Sequence, residues 1–181
     1  MSEYGKFTWK ILELLATGTL LGFTKDRSLK RELLEECDQI WYEMDRKQLY
    51  RFLERMHLKN YVEFISKKGG IERVKLTNQG RARFLEYQFK NIILGKNKRW
   101  DGKWRMVLFD IPEPKKKIRD ALRRKLKELG FLEFQKSVFV YPYHCRDEIN
   151  FVINFWDIQE HVYYIEAPII PDQMLRSHFH L

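Results

Sequence analysis

The residues from Trp100 to Pro142 constrain the fold most, because strand, helix and hairpin signals follow one another there without a gap. Residues 104–109, WRMVLF, form a short and nearly continuous apolar run, as a strand buried on both faces requires. Pro112 and Pro114 end this strand, since proline cannot donate to a sheet ladder and is tolerated in the first turn of a helix. The run therefore predicts a buried strand that leads directly into a helix.

The predicted helix is basic and amphipathic. Its apolar residues fall on one helical face, and Gly130 supplies the stop signal. Residues 131–141 return as strand, with Gln135 and Lys136 interrupting it. This order, β-α-β-β, is half of a ferredoxin-like fold. The apolar face of the helix comprises Ile118, Ala121, Leu122, Leu126 and Leu129.

The chain beyond Pro142 completes that pattern. Residues 146–157 have helical periodicity, and residues 159–166 read as a last strand, which gives β-α-β-β-α-β. The final residues, 168–181, contain two prolines and fit either a strand that reaches a partner subunit or an ordered tail.

The first half of the chain is rich in helical patterns. Helices are predicted over residues 4–20 and 28–39, and a third begins at Asp45, whose spacing to Gln48 fits a capping box. In this third helix one face is apolar, with residues at i, i+3, i+4 and i+7, and should contact a core. The apolar residues are Leu49, Phe52, Leu53 and Met56; a second stripe comprises Lys47, Tyr50, Arg51 and Glu54, flanked by Arg46 and Arg55.

A hairpin follows this third helix. Residues 61–66 alternate as a strand, residues 67–70 (KKGG) turn, and residues 71–76 return. Thr77 then caps a further helix that is expected to run to about Leu94. Three helices, a hairpin with a basic tip and a closing helix are the order of a winged helix-turn-helix, in which the third helix can enter the major groove of DNA.

These patterns predict an α+β protein of two domains. The N-terminal winged helix-turn-helix is predicted at residues 1–94. A ferredoxin-like dimerisation domain is predicted at 104–170, with a linker at 95–103 between them and a tail at 171–181. The linker prediction depends on glycine, high charge and missing periodicity.

Charge is concentrated in one part of the chain. The net charge is +9, but residues 96–127 alone hold thirteen basic and four acidic residues, and Lys115 to Lys127 holds eight basic residues in thirteen. Clustering of this kind favours a polyanion as partner, although a charged helix face is more often simply solvated.

Other classes of function find little support in the sequence. No apolar run is long enough to span a bilayer, so no membrane partner is expected. Cys37 and Cys145 lie far apart and match no metal-ligand spacing, and two thiols without a signal peptide favour a cytoplasmic location. No nucleophile elbow, phosphate loop or dinucleotide fingerprint is present, and no cofactor is predicted.

The central block resembles a known family. WDGKWRMVLFDIPE, RDALRRKLKELGF and QKSVFVYP are similar to the middle domain of the PaaX-like transcriptional regulators, over about forty residues. That domain is itself similar to the Cas-two family of CRISPR adaptation nucleases. The shared pattern is a strand ending in Asp110, an Arg-rich helix, Gly130-Phe131, and residues 135–139. PaaX-like regulators also carry a winged helix at the position where the order of elements predicts one here.

The resemblance implies a DNA-binding transcriptional regulator, most simply a repressor, that binds double-stranded DNA as a homodimer. Two winged helices on one two-fold axis would read an inverted repeat. PaaX-like regulators usually carry a further C-terminal domain that this chain lacks, so their aromatic acyl-CoA effector is not transferred and any effector is unknown. The predicted DNA contacts are Arg46, Lys47, Tyr50, Arg51, Arg55, Lys67, Lys68, Arg73, Lys116, Arg119 and Arg123.

The alternative is a metal-dependent nuclease that uses Asp110. Resemblance to the Cas-two nucleases implies a metal-binding carboxylate at this position, paired with its symmetry mate, and magnesium as the cofactor. Hydrolysis of a phosphodiester by a metal ion needs several oxygen ligands. Beyond Asp110 the neighbourhood offers only Glu113 and Asp120. A carboxylate before Ile-Pro can equally bond local backbone amides, and this structural role is the interpretation that the sequence favours.

Overall fold

A computed structural model describes residue 15 and residues 21–24, 46–67, 71–95 and 99–181. The chain divides into two compact units, Met1–Gln88 and Phe89–Leu181, each of which is described by itself. The predicted helices at residues 4–20 and 28–39 lie outside the described residues, except that Leu15 is helical and buried. Cys37 and the Asp45 cap also lie outside them. No helix in the described part of the chain is long and apolar enough to cross a membrane.

The first unit is built on a three-stranded antiparallel sheet. Its described elements are β1 (Leu21–Thr24), α1 (Arg46–Leu58), β2 (Val62–Lys67), β3 (Ile71–Leu76) and α2 (Asn78–Lys90), of which Phe89 and Lys90 belong to the second unit. The strand order is β1-β3-β2. The predicted hairpin of β2 and β3 is confirmed, whereas β1 was not predicted, because four residues containing a glycine carry no strand pattern of their own.

The core of the first unit follows the predicted periodicity. Phe52, Leu53 and Met56 of α1 are buried, as are Val74 of β3 and Phe84 of α2. The apolar stripe of α1 therefore packs inward, as a period of 3.6 residues requires.

The start of α2 is fixed by a threonine and a glycine. Thr77 is the predicted cap, and its hydroxyl oxygen accepts a hydrogen bond from Gly80 N at 3.0 Å and donates to the Asn60 carbonyl at 2.6 Å. A Cβ at Gly80 would meet the carbonyl oxygen of Tyr61, so only glycine lets the helix approach this turn closely. The helix ends at Lys90 rather than near Leu94, since Ile92 and Leu94 pack into the core of the second unit.

The second unit has the predicted order β-α-β-β-α-β. Its elements are β4 (Trp104–Phe109), α3 (Lys116–Glu128), β5 (Leu132–Gln135), β6 (Val138–Tyr141), α4 (Arg146–Phe155) and β7 (Val162–Ala167). The strand order is β5-β6-β4-β7, and all pairs are antiparallel, which is the ferredoxin-like arrangement. The last strand begins at Val162 rather than at residue 159, because residues 159–161 form a short 3-10 turn.

The residues that mark the start and the end of α3 have the conformations that the sequence predicts. Pro112 is extended and a 3-10 turn over residues 113–115 leads into the helix. Gly130 has φ +91°, a left-handed conformation that glycine adopts without a Cβ penalty, and α3 ends just before it. Leu122 and Leu126 are fully buried beneath the helix.

The two faces of the sheet in the second unit are covered by different helices. Val107, Phe109 and Phe139 lie on the face that packs against α3 and α4. On the other face, Trp104 and Val140 pack against a C-terminal helix, α5 (Gln173–Phe179), which the sequence did not predict. The tail is thus a helix that covers one end of this face, not a strand.

We expect Gly80→Ala to destabilise the first unit by about 1–3 kcal/mol, the usual cost of forcing extra atoms into a packed site. The added methyl would collide with the Tyr61 carbonyl, so α2 must shift off the hairpin. Hydrogen exchange of the β2–β3 amides measures this loss. Gly95→Ala is the matched control, because a Cβ at residue 95 meets nothing within 4 Å, and equal effects of the two substitutions would contradict the explanation.

Candidate functional site

The outer face of α1 presents polar and basic side chains above a buried apolar face. Tyr50, Arg51 and Arg55 are exposed, and the ring of Tyr50 lies 6.0 Å from the ring of Phe64 on β2. Arg55 Nε donates to the Arg51 carbonyl at 3.3 Å. The Arg51 guanidinium has no hydrogen-bond or ion-pair partner among the described residues. A basic helix face that carries a tyrosine, here with its ring near that of Phe64, is suited to contact phosphates and base edges.

The other predicted contacts of the first unit are described only in part. The backbones of Arg46 and Lys47 form the first turn of α1, and Lys67 ends β2, but nothing is described of their side chains. Arg73 lies in β3, where it pairs with Ile65 of β2. Lys68 lies outside the described residues.

Helix α3 uses most of its positive charge within the second unit. Arg119 donates to the Ile111 carbonyl at 3.0 Å and to the Glu113 carboxylate at 2.8 Å, which lowers the pKa of Glu113. Arg123 donates to the Lys136 carbonyl at 3.0 Å and so holds the turn between β5 and β6. These two predicted DNA contacts therefore connect the helix to the segment after β4 and to the turn between β5 and β6.

Two further cations of α3 are also engaged. Lys116 is 3.7 Å from Glu113. Lys125 is buried, its Nζ lies 4.7 Å from the centre of the Phe89 ring, and burial lowers its pKa. Lys117 and Arg124, two turns apart on the exposed side, have no partner among the described residues. They are the cations of this helix most available to an anion in solution.

Asp110 is exposed at the end of β4. Its backbone N donates to the His161 carbonyl at 3.0 Å, and its carboxylate has no hydrogen bond or ion pair within the described part of the chain. The two neighbouring acids are engaged elsewhere, Glu113 with Arg119 and Asp120 with Arg123 at 3.7 Å. Among the described residues, no group of three or more His, Cys, Asp or Glu side chains could hold a metal ion.

The thiol of Cys145 is not suited to act as a nucleophile. It is fully buried, and burial raises the pKa of its thiol to about 12, so the reactive thiolate is scarce at neutral pH. Its sulfur lies 3.9 Å from the Tyr164 hydroxyl.

An ion pair between a buried arginine and a half-exposed aspartate at the start of β4 was not predicted from the sequence. The Arg105 side chain is only 5% exposed and makes a two-pronged contact with Asp101, with both N–O distances 2.6 Å. It also donates to the carbonyls of Lys103 and Pro142, each at 2.8 Å. The guanidinium lowers the pKa of Asp101 to about 2, and Asp101 raises that of Arg105. The available signal was an arginine inside an otherwise apolar strand.

Comparison with known families agrees with this description of the second unit. Residues 97–176 match the family model of the PaaX protein central Cas2-like domain. The match extends beyond the central block through β7 and into α5. The chain therefore contains a Cas2-like domain of the kind found in PaaX proteins. A comparison with curated proteins finds none that matches the chain.

We expect the Arg105–Asp101 pair to make the stability of the second unit sensitive to acid. The folded pKa of Asp101 lies below its ordinary value of 3.8, so the stabilisation is complete above that value and is lost as the pH falls toward 2. Asp101→Asn should remove this acid dependence and cost about 1 kcal/mol at neutral pH, because Arg105 loses its hydrogen-bonded carboxylate while solvent at the half-exposed Asp101 screens the pair and Glu166 remains 3.8 Å away.

Urea unfolding followed from pH 7 to pH 2 measures this effect. Asp157→Asn is the control, since Asp157 has φ +53°, where asparagine is well tolerated, and lies outside the pair. An acid dependence that survives Asp101→Asn unchanged would rule out the ion pair as its source.

Proposed function

We propose that this protein is a DNA-binding transcriptional regulator, acting as a repressor, that binds duplex DNA as a homodimer. The observation that carries the proposal is the exposed basic face of α1, which directly precedes an antiparallel hairpin. The Cas2-like domain of residues 97–176 supports it, because this domain belongs to PaaX proteins.

The described order of the first unit supports a winged helix-turn-helix. In that fold a short strand precedes the recognition helix and pairs with the hairpin that forms the wing. Here β1 pairs with β3, β3 pairs with β2, and α1 precedes the hairpin. On this assignment α1 is the recognition helix and the turn between β2 and β3 is the tip of the wing.

The chemistry of recognition follows from the exposed side chains of α1. Arg51 and Arg55 neutralise phosphates, and the exposed Tyr50, whose ring lies near Phe64 of β2, contacts a sugar or a base edge. Phosphate contacts fix the helix in the groove but carry no sequence information, so base reading falls to Tyr50 and its neighbour Lys47.

Homodimerisation is supported by an open apolar face on the second unit. Tyr163 is 62% exposed and Ile165 is 42% exposed on β7, and they pair with Leu108 and Met106 of β4. All four side chains lie on the face opposite α3 and α4, beside the part that α5 covers. A second copy of the chain placed over this face would bury the remaining apolar surface and relate the two DNA-binding units by a two-fold axis.

Repression by such a dimer needs no chemistry on the DNA. Occupancy of an inverted repeat that overlaps a promoter is sufficient to exclude other proteins from it. On this proposal the Asp110 carboxylate has no catalytic part.

The test is selection from a random duplex library, with binding then measured across a salt series with and without magnesium. We expect enrichment of an inverted repeat, with the DNA intact. Arg51→Gln should weaken binding and reduce the slope of log affinity against log salt by about 0.9, the value for one lost phosphate contact.

Arg81→Gln provides the charge-matched control, since Arg81 is exposed on α2 and should leave the slope unchanged. Binding without sequence preference, together with strand cleavage that requires magnesium and disappears in Asp110→Ala, would overturn the regulator in favour of a nuclease.

We expect Ile165→Lys to convert the dimer to a monomer, because a charge placed on the open face cannot be buried against a second copy without a partner. Light scattering after size exclusion measures the mass. Ile93→Lys, at a residue that is 84% exposed, should leave the dimer intact. A wild-type protein that is monomeric at micromolar concentration would contradict the proposed dimer.

A further inference from the structure

A cavity of about 330 Å³ lies at one end of the sheet of the second unit, where β4 begins and where β6 and β7 end. The segment before β4 and the loop after β6 form its sides. The lining side chains are mostly charged: Arg99, Asp101, Arg105, Tyr143, His144 and Glu166. None of them belongs to the surfaces proposed above to bind DNA or a second copy.

Arg105 forms the fixed floor of this cavity. Its terminal nitrogens are held by Asp101 and by the Lys103 and Pro142 carbonyls, so the guanidinium cannot turn away. Its Nε is buried and has no hydrogen-bond partner among the described residues. A side chain that is 95% buried and still incompletely bonded costs stability unless another group completes its surroundings.

Glu166 shows a similar lack of a bonding partner. It pairs with Arg105 across β7 and β4, and three basic side chains approach it without closing a hydrogen bond. Its carboxylate lies 3.3 Å from His144 Nδ1, 3.7 Å from Arg146 and 3.8 Å from Arg105. Within the described residues Oε1 accepts no hydrogen bond although it is buried.

The charges in and around the cavity leave one arginine unmatched. Arg105 is balanced by its two-pronged contact with Asp101, and Arg146 lies 3.7 Å from Glu166. Arg99 is exposed at the mouth and has no partner among the described residues. A guanidinium without a partner beside a rigid buried arginine is the arrangement that binds carboxylates and phosphates in proteins.

We propose that this cavity binds a small anion, through a carboxylate or phosphate group held by Arg99 at the mouth, beside the buried Arg105 whose Nε has no partner among the described residues. The volume of about 330 Å³ is in the range of small-molecule sites. His144 lines the same wall and supplies a further ring nitrogen to the ligand.

The test is titration of the full chain, without DNA, with sodium phosphate and separately with sodium acetate, at constant ionic strength with chloride as the balancing anion. Imidazole and arginine side-chain resonances in NMR spectra report binding at the cavity. We expect saturable shifts at His144 and Arg99, and Arg99→Gln should weaken binding by about tenfold, as the loss of one charge-assisted hydrogen bond predicts.

Arg81→Gln removes the same charge from the first unit and should leave the affinity unchanged. Shifts with phosphate alone would assign the site to phosphoryl groups, and shifts with acetate as well would extend it to carboxylates. Shifts that do not saturate with either anion, or equal weakening by Arg99→Gln and Arg81→Gln, would overturn the proposal, because both outcomes describe a diffuse response to charge.

Discussion

The second unit depends on the burial of β4. This strand lies between β6 and β7, so both of its edges are hydrogen-bonded, and its alternating side chains enter two separate cores. Val107 and Phe109 meet the helices, whereas Trp104 meets Val140 and Leu175 on the opposite side. A strand whose side chains enter cores on both faces is nearly continuous in apolar residues, and this requirement is why residues 104–109, apart from Arg105, are the clearest signal in the sequence.

The C-terminal helix α5 is linked to the same strand by a side-chain hydrogen bond. Trp104 Nε1 donates to Asp172 at 3.2 Å, and Asp172 in turn accepts from Arg176 at 2.9 Å. The Arg176 guanidinium lies over the Trp100 ring at 4.7 Å. A buried indole needs an acceptor, and this chain supplies one from 68 residues further along, so that α5 is fixed against the sheet.

The elements that could be predicted from the sequence are those whose signals are local. Pro112, Gly130 and Thr77 each act on the next turn of backbone, and the apolar stripes of α1 and α3 reflect the helical period itself. The helix α5 could not be predicted in this way. Seven residues carry too short a pattern, and what stabilises them is contact with Trp104 and Val140, distant in sequence. The strand β1 was missed for the same reason, since its pairing with β3 is what makes it a strand.

The charged residues of the candidate site could likewise be predicted from the sequence only in part. The period of α1 correctly placed Tyr50, Arg51 and Arg55 on the exposed side, because burial of one face decides exposure of the other. The sequence did not show that Arg119 and Arg123 donate to the carbonyls of Ile111 and Lys136, which belong to other elements. A hydrogen bond from an arginine to a backbone carbonyl cannot be recognised from the pattern of charges in the sequence. Some of the basic residues of a helix can therefore stabilise the fold and not bind a ligand.

The net charge of residues 96–127 therefore overstates what this segment offers to an anion. Part of it is matched from the acidic last third of the chain, since Lys125 pairs with Glu128, Lys127 with Glu133 and Arg105 with Glu166. The cations left unmatched among the described residues are divided between Lys115, Lys117 and Arg124 in or beside α3 and Arg99 and Lys103 before β4. Long-range attraction to a polyanion needs only the net field, but a bound phosphate needs a cation whose hydrogens are still free. By that criterion the strongest anion sites of the second unit are the cations that have no ion-pair partner among its described residues.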